Sequence, residues 1–484
     1  MKITIVGTGY VGLVSGVCLA EFGHQVTCLD SSLHKIERLR SGEIPIFEPG
    51  LEEMMGRNIA AGRLGFETQM QRALRNAEVI ILAVGTPMRE SDGQADLTQV
   101  FAAVDEVANA LTHHAVIVTK STVPVGTCRK IGERIRMLRP DLDFDIASNP
   151  EFLREGSAII DFMRPDRVVL GTTSDRAALL LSEMYAPLKR RNIPILQTGL
   201  ESSELIKYAS NGFLATKISF VNELAGLCER VGADMRDVSL GMGLDGRIGP
   251  AFLKAGPGYG GSCFPKDTHA LARMGQENGL TLHVTEAVMH ANELVKARMI
   301  QKIVRACGGR VTGKTVAVLG VTFKANTDDV RDAPSLTILP ALIGNGARVR
   351  VVDPKGHRMG EQLLPGVTWH SSAYEAAKGA DVLVVMTEWQ DFDTLDLKRL
   401  AKDMCQPHMV DLRNIFSPAS ATTAGFRLYD AIGSKANWVE APQTAVAVHM
   451  PPMDLSVYTP ATALNGQSRP LAAPIQMEVS KPAP

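Results

Sequence analysis

The sequence predicts an α/β protein in which two doubly wound domains are joined by a central helical region. Two observations support this fold class. Short, fully apolar runs alternate with helical patterns in residues 1–200 and again in residues 306–433. Such runs are typical of parallel strands that helices cover on both faces. Between these parts, residues 201–305 show long helical patterns instead.

The apolar runs of the first α/β domain (residues 1–200) give its predicted strands. These are Lys2–Val6, Gln25–Leu29, Val79–Val84, Val116–Lys120, Asp145–Ser148 and Arg167–Leu170. The second α/β domain (residues 306–433) has predicted strands at Thr315–Gly320, Arg348–Asp353, Asp381–Met386 and Met409–Asp411. Alternating strands and helices predict a parallel sheet in each domain.

The central domain (residues 201–305) is predicted to contain helices over Ser202–Val231 and Leu282–Arg305, which flank a glycine-rich loop at Gly256–Asp267. A helical block between two α/β domains is suited to dimerisation, so we expect a homodimer or a higher homo-oligomer. Residues 434–484 are rich in Pro, Ala, Ser and Thr and lack a periodic apolar face. We therefore predict a disordered tail there.

Composition excludes several classes of protein. Apolar residues make up 45% of the 484 residues, charged residues make up 21%, and the net charge is −1. This balance is typical of a soluble globular protein and gives no general affinity for nucleic acid or for an anionic membrane. We expect no transmembrane helix and no signal peptide. The seven scattered cysteines predict reduced thiols in the cytoplasm and no metal site.

The run from Gly7 to Gly12 fits the pattern G-x-G-x-x-G. It follows a predicted strand and begins a helical pattern, which is the context that a dinucleotide site requires. Gly7 allows a tight turn, Gly9 lets the backbone approach a pyrophosphate, and Gly12 allows close packing of helix on strand. Backbone N–H groups of the helix start, including that of Val11, are predicted phosphate ligands. The first domain is thus predicted to be Rossmann-like.

Asp30 ends the next predicted strand, eighteen positions after Gly12. A carboxylate there would bind the ribose hydroxyls and repel a 2′-phosphate, which favours NAD over NADP. Lys35 is a further candidate for the ribose. Thr86 and Thr122 follow two other strands, at the sheet edge where ligands bind. The alternatives are a Rossmann-like domain without ligand and, for the two threonines, helix caps.

The loop from Gly256 to Asp267 holds four glycines within its first six positions. We interpret them as serving ligand binding and not core packing, because glycine lets the backbone approach a ligand closely. Cys263 precedes a predicted helix at Thr268–Gln276. A helix N-terminus and a nearby Lys266 would favour its thiolate, as in a nucleophilic cysteine. The alternative is a buried structural cysteine, which is commoner for a cysteine taken at random.

The run Gly260–Asp267 resembles the active-site signature of the UDP-glucose 6-dehydrogenases. The resemblance extends from Lys2 to about Ile432. Its other motifs are the GTGYVG run, Asn149–Gly156, Glu204–Asn211 and Phe323–Arg331. It implies that NAD is the cofactor, that the second α/β domain is a Rossmann-like domain that binds UDP, and that UDP-glucose is oxidised to UDP-glucuronate.

The implied reaction has two oxidation stages and uses Cys263 as a covalent nucleophile. The alcohol first becomes a bound aldehyde, which Cys263 attacks to form a thiohemiacetal. A second NAD then accepts a hydride, and water hydrolyses the resulting thioester. Lys207 and Asn211 lie four residues apart, so they share one helix face where they would stabilise an oxyanion. The family implies that Asp267 orients the water, with Glu151 and Thr122 supporting proton transfer.

The resemblance also implies contacts with substrate and cofactor. The predicted substrate residues are Glu151, Phe152, Leu153, Arg154, Glu155, Lys207, Asn211, Phe252, Leu253, Lys254, Ala255, Gly256, Gly260 and Lys324, with Arg413 a further candidate for the sugar. Glu155, Lys266 and Arg331 would contact NAD. Arg247 resembles an arginine that reaches the substrate of a neighbouring subunit. Two alternatives remain: a dehydrogenase of GDP-mannose or of a UDP-N-acetylhexosamine, and a non-catalytic protein that senses NAD.

Overall fold

The computed structural model of the chain describes residues 1–89 and 93–438. Within them, the N-terminal part contains eight strands. They are β1 (Lys2–Val6), β2 (Gln25–Leu29), β3 (Leu64–Glu67), β4 (Val79–Leu82), β5 (Ala115–Thr119), β6 (Phe144–Ser148), β7 (Val168–Thr172) and β8 (Ile195–Thr198). They form one sheet in the order β3-β2-β1-β4-β5-β6-β7-β8. All neighbouring strands are parallel except β6 and β7, which are antiparallel.

Helices cover both faces of this sheet. They are α1 (Tyr10–Glu21), α2 (Leu33–Arg40), α3 (Leu51–Ala60), α4 (Met70–Ala73), α5 (Thr98–Ala110), α6 (Thr127–Leu138), α7 (Ala158–Met163), α8 (Asp175–Met184) and α9 (Ala186–Lys189). Alternate residues of β4 belong to two different core clusters, Val79 and Ile81 to one, Ile80 and Leu82 to the other. This burial on both faces explains the uninterrupted apolar run.

Four helices follow the first sheet. They are α10 (Leu200–Val231), α11 (Met235–Gly243), α12 (Phe264–Glu277) and α13 (His283–Ala306). The long helix α10 packs against both α12 and α13. It ends where Gly232 adopts a φ of +78°, a backbone conformation that favours glycine. These helices bring the loop that precedes α12 close to the first sheet.

The second sheet contains seven strands in the described part of the chain. They are β9 (Thr315–Leu319), β10 (Arg348–Val352), β11 (Thr368–Trp369), β12 (Val382–Val385), β13 (His408–Asp411), β14 (Leu428–Ala431) and β15 (Asn437–Trp438). Their order is β11-β10-β9-β12-β13-β14-β15, and β15 alone is antiparallel to its neighbour. The accompanying helices are α14 (Ser335–Gly344), α15 (His357–Leu363), α16 (Ala373–Ala377), α17 (Gln390–Asp393), α18 (Leu397–Asp403) and α19 (Pro418–Ala424).

The two mainly parallel sheets and the helical region between them confirm the predicted fold class, and the antiparallel pairs β6–β7 and β14–β15 depart from the predicted parallel arrangement. In each sheet the strand order reverses beside the first strand, β1 or β9. Open α/β sheets bind ligands at this reversal point, beyond the carboxyl ends of the strands. The prediction missed β3, β8, β11, β14 and β15, which are all short. The predicted tail begins too early, because β15 pairs with β14; residues 439–484 lie outside the described residues. No described helix is long and apolar enough to span a membrane.

Candidate functional site

The turn between β1 and α1 has the geometry of a pyrophosphate site. The N–H of Gly7 donates to the carbonyl of Leu29 at 2.8 Å, and its φ is +100°. A Cβ added to Gly12 would lie 1.9 Å from the carbonyl oxygen of Gly7, whereas a Cβ on Gly9 would meet no atom within 4 Å. No side chain caps the N-terminus of α1. The open space and the uncapped helix fit the NAD pyrophosphate.

Asp30 holds this turn from the end of β2. Its Oδ2 atom accepts hydrogen bonds from the N–H of Thr8 at 3.0 Å and from the Thr8 hydroxyl at 2.7 Å. The Lys35 ammonium lies 2.9 Å from the same oxygen. Burial alone would raise the pKa of Asp30, but Lys35 and Thr8 together hold it below its usual value. Asp30 is therefore ionised beside this turn, as the predicted ribose contact would require, and Lys35 extends towards that carboxylate.

Thr86 and Thr122 lie half-buried beyond β4 and β5, which are neighbours in the sheet. The following helices begin at Thr98 and Thr127, with Leu97 and Gly126 at their N-cap positions. The alternative that the two threonines cap these helices is therefore wrong. Both lie instead at the edge of the sheet where the cofactor is expected.

Glu204 of α10 anchors the loop that carries Thr122. Its carboxylate accepts hydrogen bonds from the N–H groups of Gly126 at 2.6 Å and Cys128 at 2.7 Å. These are donors of the first turn of α6, which would otherwise lack partners. The long helix of the central region thus fixes a loop of the first sheet.

Lys207 and Asn211 are buried on one face of α10, so they are not a solvated surface pair. The Lys207 Nζ atom lies 2.9 Å from Oε1 of Glu151. The Asn211 amide donates to Oδ2 of Asp267 at 2.6 Å. The spacing of four residues thus brings one carboxylate from the first domain, Glu151, and one from the first turn of α12, Asp267, to the same helix face.

The buried pair of Glu151 and Lys207 keeps its charges. Burial raises the pKa of Glu151, but Lys207 and a hydrogen bond from the Leu153 N–H hold it below its usual value. Burial also lowers the pKa of Lys207, but Glu151, Cys263 and Asp267 together outweigh this effect and raise it. Lys207 therefore presents a full positive charge to the cavity.

Cys263 is the N-cap residue of α12, which begins at Phe264 and not at Thr268. Burial raises the pKa of its thiol to about 11, while Lys207 opposes this shift. The expected thiolate is therefore wrong for the free protein. The Lys266 ammonium, which was expected beside the thiol, pairs with the Asp267 carboxylate. Lys207 is the cation with the largest effect on the pKa of Cys263.

The glycines before Cys263 are required for close packing of the loop. The expectation that they serve ligand binding and not packing is therefore wrong. A Cβ on Gly260 would lie 2.3 Å from the carbonyl oxygen of Asp332. Gly261 has a φ of +81°, and a Cβ on it would lie 2.8 Å from the Phe323 ring. The loop is thus pressed against the segment that follows the first strand of the second sheet.

Glu155 joins three parts of the protein. Its carboxylate accepts a hydrogen bond from the Ser262 hydroxyl at 3.2 Å and another from the Thr327 hydroxyl at 2.9 Å. The Arg331 guanidinium lies 3.7 Å away and makes a closer pair with Asp329 at 2.8 Å. Burial, followed by the negative charge of Asp329, raises the pKa of Glu155 to about 7.

A cavity of about 800 Å³ lies between the two sheets and the central helices, a size typical of ligand pockets. The predicted residues that line it are Glu151, Phe152, Leu153, Arg154, Glu155, Lys207, Asn211, Phe252, Gly260, Cys263 and Lys324. Burial lowers the pKa of Lys324, with the Glu155 carboxylate opposing it. The predicted residues that line the cavity thus include the nucleophile, three cations and two carboxylates.

Several predicted ligands lie elsewhere. Leu253, Lys254, Ala255 and Gly256 do not line this cavity. Gly256 is buried and donates its N–H to Asn222 at 2.8 Å, so the segment packs against α10.

Two predicted arginines also lie away from the cavity wall. The Arg247 side chain is 90% exposed and pairs with Asp245. The Arg413 guanidinium donates to the carbonyl of Phe323 at 2.7 Å and pairs with Glu388 at 3.0 Å.

Sequence reasoning missed four cations of the cavity wall, which are Lys120, Arg164, Arg167 and Lys217. Lys120 follows β5 and is buried. Its position at the carboxyl end of a strand was a usable signal. The Arg167 guanidinium lies 3.6 Å from the centroid of the Phe152 ring, and the Lys207 ammonium lies 5.4 Å from the same centroid. No local sequence motif predicts the contact of these two cations with the Phe152 ring.

Three regions of the chain match the UDP-glucose/GDP-mannose dehydrogenase family. Residues 1–189 match its NAD binding domain, residues 201–294 its central domain and residues 317–418 its UDP binding domain. The matches cover most of the chain. They fall on the first sheet, the central helices and the second sheet, respectively.

Curated relatives and solved structures agree with this assignment. UDP-glucose 6-dehydrogenase from Rhizobium meliloti is 50% identical over 435 residues, which cover 90% of this chain and 99% of that protein. The enzyme of that name from Bacillus subtilis is 47% identical, with 90% and 98% covered. A UDP-glucose dehydrogenase structure from Pyrobaculum islandicum superposes with a TM-score of 0.83 at 38% identity, with 90% and 98% covered. A UDP-D-ManNAc dehydrogenase from Pyrococcus horikoshii has a TM-score of 0.78 at 25% identity, with 90% and 99% covered.

Proposed function

Because the chain belongs to the UDP-glucose/GDP-mannose dehydrogenase family, we propose that it oxidises UDP-glucose to UDP-glucuronate and reduces two NAD per sugar. The observation that carries this proposal is the meeting of Cys263 with Lys207 in one cavity. A thiol beside a buried ammonium is what a covalent second oxidation needs. Bound NAD would supply the hydride acceptor at both stages.

In the first stage, the C6 alcohol loses a proton and a hydride and becomes an aldehyde. Lys207 stabilises the developing negative charge on the oxygen, since its own pKa is raised and it stays an ammonium. Asn211 and Asp267 are hydrogen-bonded together beside it. The buried Asp267 carboxylate can accept the proton through a water.

In the second stage, the Cys263 sulfur adds to the aldehyde carbon, and the thiol proton passes to the aldehyde oxygen, which becomes a hydroxyl. Because the pKa of the free thiol is about 11, this proton must move as the bond forms. The resulting tetrahedral thiohemiacetal gives up the second hydride, which bound NAD would accept, and its hydroxyl proton leaves to water, so that a thioester forms. Water then breaks the C–S bond, which releases the carboxylate and restores the thiol. The ionised Glu151 supports proton transfer from that water.

Substrate choice within the family is part of the proposal. The alternatives are GDP-mannose and a UDP-N-acetylhexosamine. Curated proteins named for UDP-glucose reach 50% and 47% identity, whereas the solved UDP-D-ManNAc dehydrogenase reaches 25%. These values favour UDP-glucose.

We also propose that two copies associate through α10. Phe213, Phe220 and Leu227 repeat every seven residues and are 66%, 50% and 54% exposed. An apolar stripe of this kind is typical of a protein interface. Arg247, which points into solvent, would then reach the partner's substrate. Phe220→Glu should halve the mass measured by light scattering; an unchanged mass would refute this interface.

The function is tested by stoichiometry. Purified protein is incubated with a limiting amount of UDP-glucose and excess NAD, and NADH is counted per sugar. We expect two NADH and one UDP-glucuronate. Cys263→Ser should lose the second oxidation by at least 100-fold, because the alkoxide of serine is much harder to form than a thiolate. Faster turnover of GDP-mannose or a UDP-N-acetylhexosamine would contradict the substrate assignment.

A further inference from the structure

Lys120 is a buried cation that the proposed mechanism does not use. It follows β5, lines the cavity, and is only 3% exposed. Its Nζ atom donates to Oδ1 of Asn149 at 3.1 Å and lies 3.5 Å from the Asn149 carbonyl oxygen. Among residues 1–89 and 93–438, no carboxylate lies within 4.0 Å of this ammonium. A buried charge without a direct counterion is unfavourable, so its position calls for a functional reason.

Asn149 is held on every side. Its N–H donates to the Thr119 carbonyl at 2.9 Å, and its amide donates to the Val169 carbonyl at 2.9 Å. The Tyr185 hydroxyl donates to the same Oδ1 atom that Lys120 reaches, at 2.6 Å. Asn149 precedes Glu151 by two residues, with the rigid Pro150 between them. The contacts that fix the position of Asn149 therefore also fix the backbone position from which the Glu151 side chain extends.

We propose that Lys120 is a positioning residue for Glu151. Its ammonium seats Asn149, so that the Glu151 carboxylate faces Lys207, and its positive charge keeps that carboxylate ionised for proton transfer. This inference rests on the proposed function, in which Glu151 helps water to hydrolyse the thioester.

The electrostatics of the surrounding elements agree with this role. The titratable groups that face Lys120 are Glu151, Lys207 of α10 and Cys18 of α1. Burial lowers the pKa of Lys120 to about 8, and Glu151 opposes that shift. In turn, Lys120 adds to the effect of Lys207 in lowering the pKa of Glu151. The second cation is thus charged at neutral pH and loses its charge above about pH 8.

Two variants distinguish the hydrogen bond from Lys120 to Asn149 from the positive charge of Lys120. Lys120→Gln can still donate to Asn149 but carries no charge, whereas Lys120→Arg keeps the charge. The pH dependence of kcat with saturating UDP-glucose and NAD is measured from pH 5 to 10. In Lys120→Gln, we expect the acidic limb of the profile of kcat against pH to move to higher pH. The kcat of this variant at pH 6 should fall at least tenfold. The limb of Lys120→Arg should stay near that of wild type. A wild-type limb in Lys120→Gln would overturn the proposal.

A second measurement does not depend on catalysis. It therefore distinguishes failure of the proposed role of Lys120 from failure of the proposed enzymatic function. Unfolding free energies of wild type, Lys120→Gln, Glu151→Gln and the double variant form a double-mutant cycle. We expect a favourable coupling at pH 7, of which at least half is lost at pH 9.5, where Lys120 is neutral. A coupling that does not change with pH would show a purely structural contact. Absence of UDP-glucose oxidation together with this coupling would refute the function alone.

Discussion

The Lys207 ammonium lies 2.9 Å from the Glu151 carboxylate, and the two side chains are only 4% and 6% exposed. The pair joins α10 to the loop that follows β6. Each charge is stable in the interior because the other is present, so the pair is more sensitive to the loss of one partner than to the loss of both. The same ammonium also acts on Cys263, which links the structural pair to the nucleophile.

Lys207→Met should destabilise the protein by about 3–5 kcal/mol at pH 7, because it leaves the Glu151 carboxylate buried and unpaired. Urea unfolding measures this loss. The double variant Glu151→Gln, Lys207→Met should recover a substantial part of it. If the double variant were as unstable as the sum of the single variants, the two residues would not form an energetic pair.

The Cys263 thiol should react slowly with iodoacetamide in the free protein. Since its pKa is about 11, the thiolate fraction and the rate should rise about tenfold per pH unit from pH 8 to 10. Mass spectrometry of the Cys263 peptide follows the reaction in a Cys405→Ser background, which removes the exposed thiol.

Lys207→Met should slow this alkylation further at pH 9, because it removes the cation that lowers the thiol pKa. Lys266→Met should have a smaller effect, since Lys266 is bonded to Asp267. A rate that already levels off at pH 8 would contradict the neutral thiol.

Glu155→Gln should change the dependence of stability on pH. The pKa of Glu155 is raised to about 7 in the folded state from an ordinary value near 4.5. The raised value stabilises the folded protein fully below pH 4.5, and this contribution is lost as the pH rises to 7. The variant should therefore gain stability relative to wild type between pH 5 and pH 8.

Thermal unfolding at four pH values in this range measures that gain. The exposed Glu52 of α3 provides the charge-matched control, since Glu52→Gln removes one carboxylate at the surface. A constant difference between Glu155→Gln and wild type would contradict the raised pKa.

The sequence predicted those features that depend on local periodicity. The spacing of Lys207 and Asn211 placed both on one helix face because a helix turns once in 3.6 residues. The pairing of Lys266 with Asp267 was not predictable, since adjacent residues meet only in particular rotamers. Glu155 and Thr327 meet across 172 positions, and no motif encodes that contact. Local spacing thus predicts faces and turns, while the charge state of the site depends on tertiary contacts.

The two glycines of the cofactor turn should respond differently to alanine. A Cβ on Gly12 would lie 1.9 Å from the Gly7 carbonyl oxygen, whereas a Cβ on Gly9 would meet no protein atom within 4 Å. Gly12→Ala should therefore lower the unfolding temperature by several degrees, because strand and helix must move apart. Gly9→Ala should unfold at the wild-type temperature and yet bind NAD at least tenfold more weakly, because its methyl group fills the space that the pyrophosphate needs. Calorimetric titration with NAD, paired with thermal unfolding, distinguishes the two effects; unchanged NAD affinity in Gly9→Ala would place the pyrophosphate elsewhere.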